Sequence, residues 1–415
     1  MIAAADSNWS RLCLLLLLLG GRLSAADESA LRTALDEHRW FDLRDAVMSG
    51  PAPPLYRFFV AAAFNDQRSA LQTMSAVTRS GAKADQLAPL HYALYRLYYR
   101  LGRCRESAAE ERRTWALAPD HSPSDQASKA DLAALEQLPD MQLVSRRPAS
   151  VTFTTWDERI VSPVTINGHS TRLPIDTGAA ISVVTESQAK YLGLRLIARQ
   201  PLFEGFTGKK QQMNHYAVAD LLEMGHTVLR NVSFVVLPDD LDVFSGVSPN
   251  ERGAIGMPVL LAVQTLRWNG THDLSVGFPA KPFDVRNANL SFEGLDLLAQ
   301  VEVAGHRLAV HLDTGSSLST MWPMFVKNYP DLLEGSHESK TGLGGTTGSA
   351  DIRSAIVPEL RMTVAGFPIL FHDAPVLLQS TIESSVWHYG LLGMDKLAQA
   401  SEVTLDFKAM RIDLK

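Results

Sequence analysis

Apolar positions in the first third of the chain recur at helical spacing. From about residue 27 to 138 the sequence is rich in Ala, Leu, Arg and Glu and lacks the Val/Thr alternation of strands, which predicts an all-α region. The pattern changes near Ser150. Residues 151–155, 161–166, 232–237 and 290–292 are short strand-like runs separated by Gly, Asn and Pro turns, so the chain from about 150 to 415 is expected to be predominantly β. His121-Ser122-Pro123-Ser124 and Ser145-Arg146-Arg147-Pro148 bracket the change. With 415 residues, two or three domains are expected.

Within the helical part, the segment 92–103 is an aromatic helix, Tyr92 to Tyr99, followed by Leu101-Gly102-Arg103, with Ala108, Ala116 and Pro119 further on. This unit resembles a tetratricopeptide repeat, in which small residues let two helices pack closely. Residues 58–81 read as a degenerate earlier copy, with Asn65-Asp66 standing where Gly102-Arg103 stand. Such units bury their faces against neighbours, so about three hairpins are expected, serving as a scaffold or an arm for a protein partner. A plain α-helical prodomain or cap fits the same residues.

The first segment, Arg11-Leu12-Cys13, the Leu run 14–19 and the small residues Ser24, Ala25 and Ala26, has the layout of a secretory signal peptide over 1–26. It predicts an exported protein, periplasmic or secreted, with no membrane span in the mature chain. An uncleaved N-terminal anchor is the alternative. Cleavage would leave Cys104 as the one thiol, with no internal disulfide. Arg103 and Arg105 flank it and could lower its pKa, but with no His or second Cys nearby a partly buried structural cysteine is expected.

Composition narrows the classes. A hydrophobic share of 46% with 20% charged residues excludes an extended disordered chain and a polytopic membrane protein. A net charge of −6 without a long basic run leaves no nucleic-acid footprint.

The β region is a duplication. Its first half reads Leu173-Pro174-Ile175-Asp176-Thr177-Gly178-Ala179 and later Ala254-Ile255-Gly256-Met257; its second reads Val310-His311-Leu312-Asp313-Thr314-Gly315-Ser316 and later Leu391-Leu392-Gly393-Met394. Asp176 and Asp313 stand 137 positions apart, as do Gly256 and Gly393, and as do Gly208 and Gly345 in the Gly-rich stretches between. Each half continues into a hairpin, over 222–229 and 360–367.

Asp-Thr-Gly after an apolar strand, a Gly-rich hairpin about 30 residues later, and an apolar-apolar-Gly element near the end of each half resemble the aspartic proteases, retropepsin-like units fused in tandem above all. The resemblance implies a multidomain chain in which an all-α, repeat-like region over 27–145 precedes an all-β two-lobed aspartic protease fold, with lobes over 150–280 and 288–415. The absence of pepsin-style disulfides favours the retropepsin-like branch. Asp176 and Asp313 are then the catalytic dyad, which splits its two titrations and activates a water against a peptide bond. Gly178 and Gly315 allow the close approach of the carboxylates. The resemblance gives Thr177 and Thr314 hydroxyl-to-backbone bonds across the lobe boundary. It gives Ser316 an added hydrogen bond to Asp313, which Ala179 cannot supply to Asp176. A pH optimum less acidic than with Ser at both positions follows, to be tested with Ala179→Ser. Flaps over 203–210 and 343–348, including Gly205, Phe206, Gly208, Gly344 and Gly345, would close on the substrate or are plain hairpin turns.

No metal or cofactor is called for, since His215, His226, His272, His306 and His311 lack ligand spacing and no His-Glu-x-x-His occurs. The expected function is an exported aspartic endopeptidase acting on a protein or peptide. A silent peptide-binding module of the same fold and a hydrolase of a non-peptide amide are the alternatives.

Overall fold

The computed structural model describes residues 25–119, 126–198, 203–204, 210–211, 215–345, 348–379 and 387–415. Helices come first: α1 (Ala25–Asp36), α2 (Trp40–Ser49), α3 (Pro54–Ala63), α4 (Gln67–Arg79), α5 (Ala84–Arg100), α6 (Cys104–Leu117) and α7 (Gln126–Leu135). The first six form three hairpins. Each tight turn carries a left-handed residue, His38 (φ 55°), Asn65 (φ 58°) and Gly102 (φ 69°), which lets the chain leave one helix and re-enter the next within a few residues. Asp66 then caps α4 by accepting the Ser69 amide at 3.1 Å. The inner faces of α3, α4 and α5 share Phe58, Ala62, Ala70, Leu90, Leu94 and Leu97, so the second and third hairpins pack through small residues against leucines.

From Gln142 the chain is β. One sheet runs in the order 253–254, 182–185, 227–237, 215–224, 159–166, 154–156; a second runs 290–293, 296–303, 306–312, 390–392, 320–321, 367–377, 348–364, 337–345. These are the two lobes. A third, five-stranded sheet, 149–152, 273–276, 265–269, 402–406, 411–414, takes strands from both halves of the chain and ties the lobes into one unit. Strand 142–145 already pairs with 228–230 of the first lobe.

The repeat seen in the sequence is a repeat of bonds. Asp176 N donates to Ile255 O and Asp313 N to Leu392 O, each at 3.0 Å. Met257 N reaches Ala179 O at 2.9 Å, and Met394 N reaches Ser316 O at 2.8 Å. The helices Met257–Val263 and Met394–Leu397 therefore start directly beneath the two aspartate turns.

The helical region lies against both lobes. On the second, Arg44 donates to the Ala288 carbonyl, Arg307 pairs with Asp45 (2.7 Å) and Asp42 (3.1 Å), and the Trp40 indole bonds Glu293. On the first, Tyr95, Tyr99, Leu132 and Leu135 form one buried cluster with Tyr216, Val218 and Val235, and the Tyr216 hydroxyl donates to Asp131 at 3.0 Å. Among the described residues no helix is long and apolar enough to cross a membrane.

Candidate active site

Each aspartate leaves the end of an apolar strand and is turned back by its own glycine. The amides of Gly178 and Ala179 both donate to Asp176 Oδ1 at 2.9 Å; the Gly315 amide donates to Asp313 Oδ1 at 2.8 Å. Each glycine also lies under the opposite carboxyl. A Cβ on Gly178 would stand 2.5 Å from Asp313 Cγ, and one on Gly315 would stand 2.4 Å from Asp176 Cγ. Any side chain there would displace a carboxylate.

The two threonines lock the loops together. Thr177 N donates to Thr314 Oγ1 and Thr314 N to Thr177 Oγ1, both at 3.0 Å, while their hydroxyls donate to Leu312 O (2.6 Å) and Ile175 O (2.8 Å). Both threonines are 1% exposed, so these polar groups have no water to fall back on. One layer out the symmetry recurs. Ser182 Oγ accepts from Gly256 N at 3.0 Å and Ser319 Oγ from Gly393 N at 2.8 Å. The sequence reading did not single out these serines, although the spacing of 137 that matched the aspartates matches them too.

Each carboxyl keeps an edge open to the cleft, but the protein packed around it strips most of its water. Burial raises both pKa values above the ordinary carboxylate range; for Asp176 the Asp313 charge and the hydrogen bond between the two carboxyls push the same way. The pair therefore holds a proton that two free aspartates would release. On Asp313, the Gly315 amide, the bond from Asp176 and the Arg159 guanidinium oppose the burial. Arg159 follows the two-residue turn Asp157-Glu158, where both φ angles are positive. Its Nε donates to the Gly315 carbonyl, its guanidinium stacks 4.8 Å from the Trp156 ring centre, and Asp157 holds both Arg159 (3.2 Å) and the Ser317 hydroxyl (2.8 Å). A hairpin of the first lobe thus braces the dyad loop of the second. No sequence signal marked Arg159, because the position 137 further on is Asp296. Burial drives Asp296 upward, but a hydrogen bond with His388 and the charges of His311, His388 and Arg96 outweigh it and hold the carboxyl low.

One expectation changes. The Ser316 hydroxyl donates to Leu318 O at 2.9 Å rather than to Asp313, because its own loop turns a carbonyl toward it; the pH argument built on Ser316 and Ala179 loses its bond. Cys104 is buried, as expected of a structural cysteine, and burial pushes its thiol up to about 12, so the flanking arginines do not activate it. Of the two expected flaps, Gly344 and Gly345 end strand 337–345 and pair with Ser349 and Gly348 in a hairpin, whereas Gly205, Phe206 and Gly208 lie outside the described residues. Among the described residues no group of three or more His, Cys, Asp or Glu is placed to hold a metal ion.

Residues 162–259 match the family model described as Aspartyl protease. No match is found among curated proteins. Similar solved structures include a retropepsin-like aspartic protease from Rickettsia conorii, 19% identical, covering 32% of this chain and 93% of that one with a TM-score of 0.24. An aspartic proteinase from Irpex lacteus is 11% identical, covering 64% and 96% with a TM-score of 0.40, and a structure titled edgp is 10% identical, covering 64% and 94% at 0.34. With two Asp-Thr-Gly turns facing each other across tandem lobes and an aspartyl protease match over the first of them, the chain has the aspartic protease fold, preceded by a helical region.

Proposed function

We propose that the protein is an endopeptidase that cuts peptide bonds with a water held between Asp176 and Asp313. The observation that carries this reading is the carboxyl pair itself, hydrogen-bonded, short of water and held by amides and by the threonine exchange. The ionised carboxylate takes a proton from the water as its oxygen bonds to the scissile carbonyl carbon. The protonated partner donates to the carbonyl oxygen, giving a neutral tetrahedral diol. A proton then moves to the amide nitrogen, the C–N bond breaks, and the products are a carboxylic acid and an amine. Both aspartates come from one chain, so catalysis needs no second copy. The leader-like segment over 1–26 supports placing this reaction outside the cytoplasm.

Cleavage of an unfolded protein mixture from pH 3 to 7 tests the reading. Wild-type chain should cut, while Asp313→Asn and wild-type chain with a statine-type mimic of the diol should not. Absence of cleavage at every pH would move the reading to a peptide-binding module that keeps the fold.

A further inference from the structure

Between the helical region and the second lobe lies a pocket with about 110 Å³ of free space, on the scale of the roughly 150 Å³ apolar cavity that takes up a benzene ring. Its walls are mainly apolar, with Leu35, Phe59 and Ala93 from the helices and Phe292 from the lobe. The walls are built in advance. Arg100, fully buried, stacks 4.3 Å from the Phe292 ring centre and donates to Asn65 Oδ1 (3.1 Å) and the Ala62 carbonyl within the helical region and to Gly294 O (3.0 Å) of the lobe, so it joins the two. At the polar end, Glu293 is engaged by the Trp40 indole and by His38 Nδ1 at 2.8 Å. Asp36 differs: its Oδ1 is buried and has no partner. Arg96, also in the wall, bonds the Tyr92 hydroxyl and lies over the Tyr92 and Tyr95 rings, so the pocket presents an apolar body with the Asp36 oxygen open to a donor, which calls for a guest with an apolar group next to an N–H.

Position identifies the guest. The lip of the pocket, Glu293-Gly294, is one side of a hairpin tip. The next residue, Leu295, belongs to the same cluster as Ala180 and Ile181, which directly follow the Asp176 turn. Asp296 after it occupies in the second lobe the place that Arg159 occupies in the first, and its charge reaches Asp313. The four residues 293–296 of this hairpin tip therefore both line the pocket and border the two aspartate turns, and since an extended chain advances roughly 3.3 Å per residue, a few substrate residues span the distance.

We propose that this pocket is an exosite of the protease: it takes an apolar or aromatic side chain of the substrate a few residues from the bond that is cut, with the adjoining backbone N–H or terminal ammonium on Asp36. The proposal rests on the endopeptidase reading for its occupant. It gives the helical region a role in choosing substrates.

The test uses the full chain and a fluorogenic peptide whose core is taken from a site cut in the protein mixture, alone and with a Gly/Ser spacer ending in Phe added at either end. An added Phe at one end should lower KM about tenfold or more, the scale of burying one large apolar side chain, with kcat unchanged. Ala93→Leu, which narrows the pocket and suits a helix, should abolish that gain and leave the short peptide untouched; Asp36→Asn should remove part of it. No gain at either end, or a loss in Ala93→Leu shared by short and extended peptides, would overturn the exosite. Saturable binding of free phenylalaninamide with no advantage for extended peptides would do the same. Binding of the extended peptide to Asp313→Asn, read by anisotropy, separates the two claims. Should Asp313→Asn cut the peptide as fast as the wild-type chain while this binding is lost with Ala93→Leu, the pocket stands and the dyad reading falls.

Discussion

Thr177 and Thr314 each place their hydroxyl on the other's amide at 3.0 Å, across the boundary between the lobes. The bonds are reciprocal, so neither aspartate loop can shift without breaking a bond in the other. Thr177→Val keeps the shape and removes an acceptor from Thr314 N and a donor from Leu312 O. Stranding a buried polar group costs about 1–3 kcal/mol, so urea unfolding should show a loss of that size and turnover should fall with it. Adding Thr314→Val should cost less than the sum of the two single changes, because the four bonds act as one unit. Strict additivity would contradict the reciprocal geometry.

Gly315→Ala should abolish turnover with little loss of fold, since its Cβ would stand 2.4 Å from Asp176 Cγ and the carboxyl, being at the open edge, is what gives way. A displacement of about 1 Å at a reacting group costs on the order of a hundredfold in rate. Gly270→Ala, in a turn away from the dyad, is the control, because a Cβ there meets nothing within 4 Å. Equal activity of the two variants would show that the dyad does not need the close approach.

Arg159 favours the charged form of Asp313. Replacing it with Met removes that cation and raises the lower of the pair's two apparent pKa values, so the doubly protonated, inactive form persists to higher pH. The acid limb of the kcat/KM profile should move toward neutral while the alkaline limb moves less. A profile of unchanged shape and lower height would mean that Arg159 only braces the loop.

Both carboxyls titrate above the range they have in an unfolded chain. As pH rises past about 4 the unfolded chain releases protons that the folded dyad still binds, and stability falls until the folded pair has titrated. Asp176→Asn takes away most of this slope. Its melting temperature should exceed that of the wild-type chain at pH 8, by an amount that shrinks toward pH 4. Parallel curves for the two proteins would show that the pair is not strained by its charge.

Much of this protein can be read along the chain. The helices are legible because three hairpins of alternating apolar faces each end at a residue that tolerates a left-handed turn, Asn65 and Gly102 among them. The dyad is legible because duplication repeats residue types at a fixed interval, and that interval survives in the bonds of Thr177 with Thr314 and of Ser182 and Ser319 with their glycines. These are properties of local periodicity and of copied order. The bracing of Gly315 by Arg159, the turning of Ser316 toward Leu318 and the docking of Trp40 on Glu293 have no such record. They depend on which surfaces meet once two lobes and three helical hairpins have packed, and Trp40 and Glu293 meet across 253 residues of chain. Local periodicity and duplication were enough to specify the elements and the two carboxylates, while what surrounds them follows from packing, because it depends on contacts between residues whose spacing in the chain carries no pattern.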